Sequence, residues 1–247
     1  MAVQFQNYDH SFKLKGKFIF SPSILGRKIE SELKDQIFEI VTFRDYFYHL
    51  AKGGHIEALH AHRSNQYFSR IDLSNFFYTI GRNRITRALR DAGISRAIHF
   101  SKWSTVKNPY PGPSYALPYG FVQSPILASL VLQQSEVTSY LDLLPGNVCK
   151  SVYVDDITLS SNSLEELNKA HEGLLNAVDT SGFATNPAKL IAPRSEITVF
   201  NCGLQSGKTA VTADRIAEFN ATVRSQASTS GFEKYVADVE RGNIDEP

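Results

Sequence analysis

The chain is poor in the residues that staple small secreted proteins. Of 247 residues only Cys149 and Cys202 are cysteines, far apart and with no histidines beside them. Neither a disulfide framework nor a structural zinc site is indicated, and both read as reduced core thiols. No run of about 18 apolar residues is present to cross a bilayer, and the opening MAVQFQNYDH has neither the basic start nor the apolar stretch of a secretion signal. A soluble, cytoplasmic protein without membrane contact is the expectation. Internal repeats and low-complexity tracts are also missing, and the 10 prolines and 15 glycines punctuate the chain without accumulating.

Net charge is nearly absent as well, at +1, but the average hides a pattern. Between Arg82 and Lys107 seven basic residues face a single acid, Asp91, whereas the tail from Gln205 carries five basic and seven acidic residues. A local basic face can hold phosphates on a chain that is neutral overall; the alternative is a solvated helix face. What the chain does have is 42% apolar and 11% aromatic content, enough to bury a core in one large domain or a few fused subdomains.

The first 66 residues mix a short strand, KFIF, with helical segments such as GRKIESELKDQIFEI. QYFSRIDLSNFFYTI then reads as a strand running into an aromatic turn. Asn83 is placed to cap the helix RITRALRDA, which Gly93 ends; Ile85, Leu89 and Ala92 form its apolar stripe. NPYPGPSYALPYG reads as an irregular loop. Ser124-Pro125 starts a helix of about five turns that Pro145-Gly146 stops, and Ser163 with Glu166 forms a capping box for the next. A strand, ITVFNCGL, a Gln-Ser-Gly-Lys turn and two short helices complete the chain. Strand, helix, hairpin, helix and strand in succession from residue 67 to 204 suit an α+β fold, a split βαβ sheet with two helices on one face.

SVYVDDITLS alternates apolar and polar residues on either side of two aspartates, so it reads as a β-hairpin with Asp155 and Asp156 at the tip. Aspartate is common in turns for purely structural reasons. A third carboxylate, Asp72 at the end of FSRIDL, lies at a strand end beside the central hairpin of such a sheet. Carboxylates converging in this way call for a hard cation such as Mg²⁺, which takes one or two of them and leaves positions for phosphates.

YVDD, DLSNFF and LPYGFVQSP, in their order along the chain, strongly resemble the polymerase core of reverse transcriptases over about residues 10 to 204. Within that family the chain looks most like the compact bacterial enzymes of retrons and phage-defence systems, and KGKFIFSP is similar to their fingers strand with Lys17 in place of arginine. The resemblance implies a right-hand polymerase. Fingers would be residues 1–66 and 82–116, the palm 67–81 and 117–204, and a short helical thumb 205–247.

The resemblance also assigns residues. Asp72, Asp155 and Asp156 match the catalytic carboxylates and, with the Leu73 carbonyl, the ligands of two Mg²⁺, for which Mn²⁺ is a substitute; the role of Asp156 is expected to be supporting. Lys17, Asn75, Phe77, Tyr119, Gly120, Gln123 and Lys189 are implied nucleotide contacts. Among them Phe77 is the gate under the sugar, Gly120 allows close backbone approach, and Lys189 is a general acid or charge stabiliser for the departing pyrophosphate. Phe200, Asn201, Cys202, Gly203 and Leu204 match the primer grip, and Arg84, Arg87 and Arg90 are backbone contacts for nucleic acid. GLQSGKT is one residue too short between its glycines for a phosphate-binding loop.

Two departures stand out. Tyr119 occupies a position where many family members have glutamine, and only 43 residues, not basic overall, follow Leu204. Grip on the duplex is therefore expected from a structured RNA, such as a dedicated non-coding RNA, or from a protein partner or oligomer. The expected function is RNA-directed DNA synthesis from deoxynucleotides, in bacterial antiphage defence by resemblance alone. A template-independent or protein-primed nucleotidyl transferase is the first alternative, and a non-catalytic RNA-binding subunit, against which the intact aspartates argue, is the second.

Overall fold

The structure, a computed structural model, describes residues 6–244. The first five residues of the amino-terminal stretch discussed above and the last three of the acidic tail lie outside them.

Strands β1 (Tyr8–Leu14) and β2 (Lys17–Pro22) pair antiparallel, and Ser23 caps helix α1 (Ile24–Ile40) by accepting from the Gly26 amide. Ile29, Leu33 and Ile37 recur every four residues and form its buried face. A 3₁₀ turn at Tyr48–Leu50 precedes α2 (Gly54–His62) and β3 (Tyr67–Asp72). Next come α3 (Phe76–Thr79), α4 (Arg82–Asp91), α5 (Ala97–Trp103) and the two-residue strands β4 (Val106–Lys107) and β5 (Tyr115–Ala116). Helices α6 (Gln123–Gln133) and α7 (Glu136–Leu143) lead to the hairpin β6 (Cys149–Tyr153) and β7 (Asp156–Ser161). Helix α8 (Leu164–Thr180), strands β8 (Ile191–Arg194), β9 (Glu196–Val199), β10 (Cys202–Gln205) and β11 (Lys208–Val211), and helices α9 (Ala213–Asn220) and α10 (Gln226–Glu240) follow.

The chain divides into two compact units, residues up to Arg44 with Ser74–Ser139, and Asp45–Leu73 with the chain from Tyr140 onward. These cut across the fingers and palm expected from the resemblance, since residues 45–66 join the second unit and 117–139 the first. The first unit is helical around Leu33, Ile37, Ile85, Leu89, Phe100 and Leu127, all fully buried. Its α6 is buried almost all round.

The second unit is built on a four-stranded antiparallel sheet in the order β6-β7-β3-β8, with β3 and β7 in the middle. That is the split βαβ arrangement. Helix α8 packs on the sheet through Leu167, Leu174 and Val178, whereas the helix expected beside it, α6, belongs to the other unit. A second sheet, β11-β10-β9, encloses Ile197, Val199, Leu204 and Val211 with Leu59 and Val239.

Several local expectations need correction. The long helix from Ser124 breaks at Gln134-Ser135, where the Ser135 and Thr138 hydroxyls both donate to the Leu132 carbonyl (2.6 and 2.9 Å), drawing it away from the helical ladder. Asn83 lies inside α4, whose N-cap is Gly81. ITVFNCGL is a hairpin, turned by Phe200 and Asn201 at φ 55° and 60°. Ser163 does cap α8, but the Glu166 side chain accepts from Asn147 (2.5 Å).

The β6-β7 hairpin is anchored by His62, which is buried and lies 2.7 Å from Ser160 Oγ and 2.8 Å from Ser151 Oγ. Burial pushes the imidazole down to about 3, so it folds neutral while the unfolded chain protonates near 6.5. The unfolded state binds the extra proton between those values, so stability falls as pH drops below 6.5, by up to about 1.4 kcal/mol per pH unit from this residue. Urea unfolding at pH 7, 6 and 5 should show that slope, and H62Q should remove about that much of it.

Candidate active site

Side chains alternate along a strand, so Arg70 and Asp72 project from the same face of β3. Across the ladder Asp72 pairs with Asp156, the first residue of β7. Like charges directly opposite each other destabilise a sheet, and both are nearly buried, at 3% and 9% exposure. Cations and amides compensate. Arg70 grips Asp156 with two bonds, Nε to Oδ1 at 2.5 Å and Nη2 to Oδ2 at 2.6 Å. Lys189 Nζ lies 2.7 Å from Asp72 Oδ2, and Asn186 Nδ2 donates to Oδ1 at 3.0 Å.

Burial raises the Asp156 carboxyl overall, with the Arg70 guanidinium pulling against that rise. A guanidinium stays charged across the working pH range, and its bidentate geometry favours the carboxylate form of Asp156.

The two-residue turn joining β6 to β7 is Val154-Asp155, because Tyr153 already pairs with Asp156. Hence only Asp155 of the two aspartates sits in the turn. Its carbonyl accepts from the Leu73 amide at 2.8 Å, which fastens the hairpin to the end of β3. Leu73 in turn bridges to Thr185, and the Asn186 amide donates to the Asp72 carbonyl at 2.8 Å. The loop of GFATNPAKL thus lies along the strand end that bears Asp72. Among the described residues no group of three or more histidine, cysteine, aspartate or glutamate side chains is arranged to hold a metal.

The other expected nucleotide contacts belong to the first unit. Lys17 Nζ sits 4.4 Å from the centre of the Tyr119 ring and 3.1 Å from its hydroxyl, and the Phe77 ring lies 4.8 Å from Tyr119. Lys17, Phe77 and Tyr119 therefore form one cluster. Phe76 is more deeply buried than Phe77, at 1% against 6%. Asn75 has φ 49° and caps α3 by backbone alone. Gly120 has φ 101°, and a Cβ there would stand 2.2 Å from the Phe20 carbonyl oxygen, so the chain's own backbone already requires glycine.

Gln123 is 1% exposed and donates to Ser104 at 3.4 Å, so in this conformation it is a core residue and not a nucleotide contact. Arg87 and Arg90 are exposed on α4, with Arg84 half-buried. Of the expected primer grip, Cys202 and Leu204 are fully buried, leaving Phe200, Asn201 and Gly203 at the surface. Phe200 and Tyr153 meet edge to face at 5.0 Å beside an open cavity of about 540 Å³ lined also by His55, Phe232 and Tyr235.

Arg70 and Asn186 are the participants that sequence reasoning missed. The signal for Arg70 was its two-residue spacing from Asp72, and for Asn186 its place before Pro187 in a turn.

A β6-β7-β3-β8 sheet with carboxylates at the end of its central strand and at the adjoining hairpin defines the palm of a polymerase. The chain belongs to the reverse transcriptase (RNA-dependent DNA polymerase) family, whose sequence profile matches residues 15–199. It is 25% identical over 166 residues to the retron Ec86 reverse transcriptase of Escherichia coli, covering 66% of this chain and half of that one. Among solved structures, a foamy viral protease-reverse transcriptase in complex with double-stranded DNA superposes with a TM-score of 0.54 at 19% identity, over 90% of this chain and 33% of the other. A foamy viral protease-reverse transcriptase with an RNA/DNA hybrid gives 0.46 at 23% identity, over 72% and 22%.

Removing one partner of a buried ion pair strands the other charge, whereas replacing both by apolar groups is far milder. R70M should therefore lose about 3 kcal/mol or more in urea unfolding, and R70M/D156L should recover most of it.

Proposed function

We propose that the protein is an RNA-directed DNA polymerase that adds deoxynucleotides to a primer on an RNA template, with Asp72 and Asp155 as its metal ligands. The observation that carries this reading is the chemistry of the site: two carboxylates from adjacent strand ends, one of them held by the half-exposed Lys189 and by Asn186. Such a donor set fits Mg²⁺, which is bound by one or two carboxylates together with substrate phosphates, and Mn²⁺ fits the same oxygens. The Leu73 carbonyl follows Asp72 directly in sequence. A pair of these ions, when bound, supplies activation of the 3′-hydroxyl and neutralisation of charge on the leaving pyrophosphate.

The chain's own residues do the rest. Arg70 keeps Asp156 charged and fixed, so Asp156 supports the site electrostatically. Lys189, once released from Asp72, is positioned to donate a proton or a charge to a phosphate oxygen. The Lys17–Tyr119–Phe77 cluster offers a ring face and a cation suited to a nucleotide, with Phe77 excluding a 2′-hydroxyl. Arg84, Arg87 and Arg90 serve backbone phosphates, and Phe200, Asn201 and Gly203 the primer end. Family membership and similarity to a bacterial retron reverse transcriptase support synthesis of a DNA product on an RNA template; a bacterial, cytoplasmic setting, a structured RNA as that template and a protein or oligomeric partner are part of the proposal. A role in defence against phage rests on the resemblance to retron enzymes alone.

Primer extension on an RNA template, with each single deoxynucleotide and with all four, tests the reading. D155N should fold normally and lose extension in Mg²⁺ by more than about a thousandfold, while binding of nucleic acid persists. Full activity of a folded D155N refutes the assignment. Excluding one hydroxyl by shape is worth at most about a hundredfold. F77A should accordingly lose up to about that much discrimination against ribonucleotides, and F76A should lower the melting temperature without changing the ratio.

A further inference from the structure

The Val154-Asp155 turn has an unusual occupant. Val154 has φ 60°, and Asp155 does not share the positive φ. A left-handed first position alone is the pattern of a type II′ turn, where glycine is the ordinary choice. A β-branched residue is among the least suited to that conformation, because its Cβ substituents crowd the backbone. Something must hold the turn, and the residue after it carries one of the proposed metal-binding carboxylates.

The Val154 amide donates to Nδ1 of His49 at 3.1 Å. Because a backbone N–H only donates, Nδ1 must be the acceptor, and the ring proton sits on Nε2. His49 belongs to the 3₁₀ turn Tyr48–Leu50, itself tied to the hairpin: Phe47 forms a parallel bridge with Val152, and the Val152 amide donates to the Tyr46 carbonyl at 2.8 Å. The ring packs against Phe47 at 6.0 Å and meets Tyr153 edge to face at 5.6 Å. Burial lowers its basicity to about 4, against a smaller opposing effect of the Val152 backbone. The opposite side of the tip is fastened by the Leu73 amide on the Asp155 carbonyl. The turn is thus gripped at both of its residues, from two different segments.

We infer that His49 is a positioning residue for catalysis: its Nδ1 clamps the Val154 amide, holds the turn in its left-handed conformation and so fixes where the Asp155 carboxylate points. This rests on the polymerase reading above. A relaxed turn would swing Asp155 through a distance on the order of 1 Å, and displacements of that size cost rate on the order of a hundredfold without weakening substrate binding.

The experiment compares wild type, H49L, H49N, V154G and V154G/H49L in primer extension, thermal melting and amide hydrogen exchange at Val154. Asparagine places its amide oxygen near the site of Nδ1, and glycine adopts the positive φ unaided. H49L should fold, melt within a few degrees of wild type and lose about 10- to 100-fold in kcat, with KM for deoxynucleotides within about threefold. H49N should recover most of the rate, and V154G/H49L should match V154G. Wild-type kcat in H49L overturns the inference. So does an H49L that fails to fold, or a slow H49L that V154G does not restore, either of which makes His49 a core residue only. The exchange measurement is independent of activity. The Val154 amide should be protected in wild type and exposed in H49L, and equal protection in both overturns the clamp even if no extension is found, a result that would separately refute the polymerase reading.

Discussion

Asp72 and Asp156 face each other across the central ladder of a sheet, nearly out of water, and the surroundings of the palm follow from the need to tolerate that pairing. Two like charges in this position are unfavourable unless opposite charge is brought to within hydrogen-bonding distance. The two carboxylates are served differently. Asp156 receives a rigid, bidentate guanidinium from its own sheet, a partner that cannot lose its charge. Asp72 receives a lysine on a flexible stem, half in solvent, and a neutral amide. Asp156 is thus bound through both of its oxygens by one guanidinium, whereas Asp72 is shared between a half-exposed lysine and an amide.

Much of this was legible from residue spacing, and the parts that were not share a cause. The strand before Asp72, the hairpin around Asp155 and the Ser163 cap depend on local alternation and capping chemistry, which sequence carries directly. The break at Gln134-Ser135 was hidden because the apolar pattern continues across it; what breaks the helix is a pair of hydroxyls competing for one carbonyl. The burial of Gln123 depends on neighbours distant in sequence, such as Ser104. The hairpin tip was misplaced by one residue, because the adjacent aspartates look like turn residues and valine does not. Phe200 repeats that lesson: an aromatic side chain occupies a left-handed turn position where asparagine or glycine is usual. The two exceptions adjoin, since Tyr153, next to Val154, meets the Phe200 ring edge to face. Local rules fail at these two turns because tertiary contacts hold the backbone there.

The pairing of Asp72 with Asp156 also makes chain length a property under selection, separately from residue identity. The turn has two residues, and every pair from Tyr67–Ser161 to Asp72–Asp156 follows in step. Adding or removing one residue in β3, in β7 or in the turn would reverse the inward and outward faces of everything beyond it, sending Arg70 or the carboxylates to the side of α8. Substitutions at many of these positions would change an energy, whereas a single-residue insertion or deletion would dismantle the site. Lineages of this chain should therefore vary in length in the loops distant from the ladder, such as that between β4 and β5, and keep the distance from Tyr67 to Asp72 and from Tyr153 to Ser161 constant.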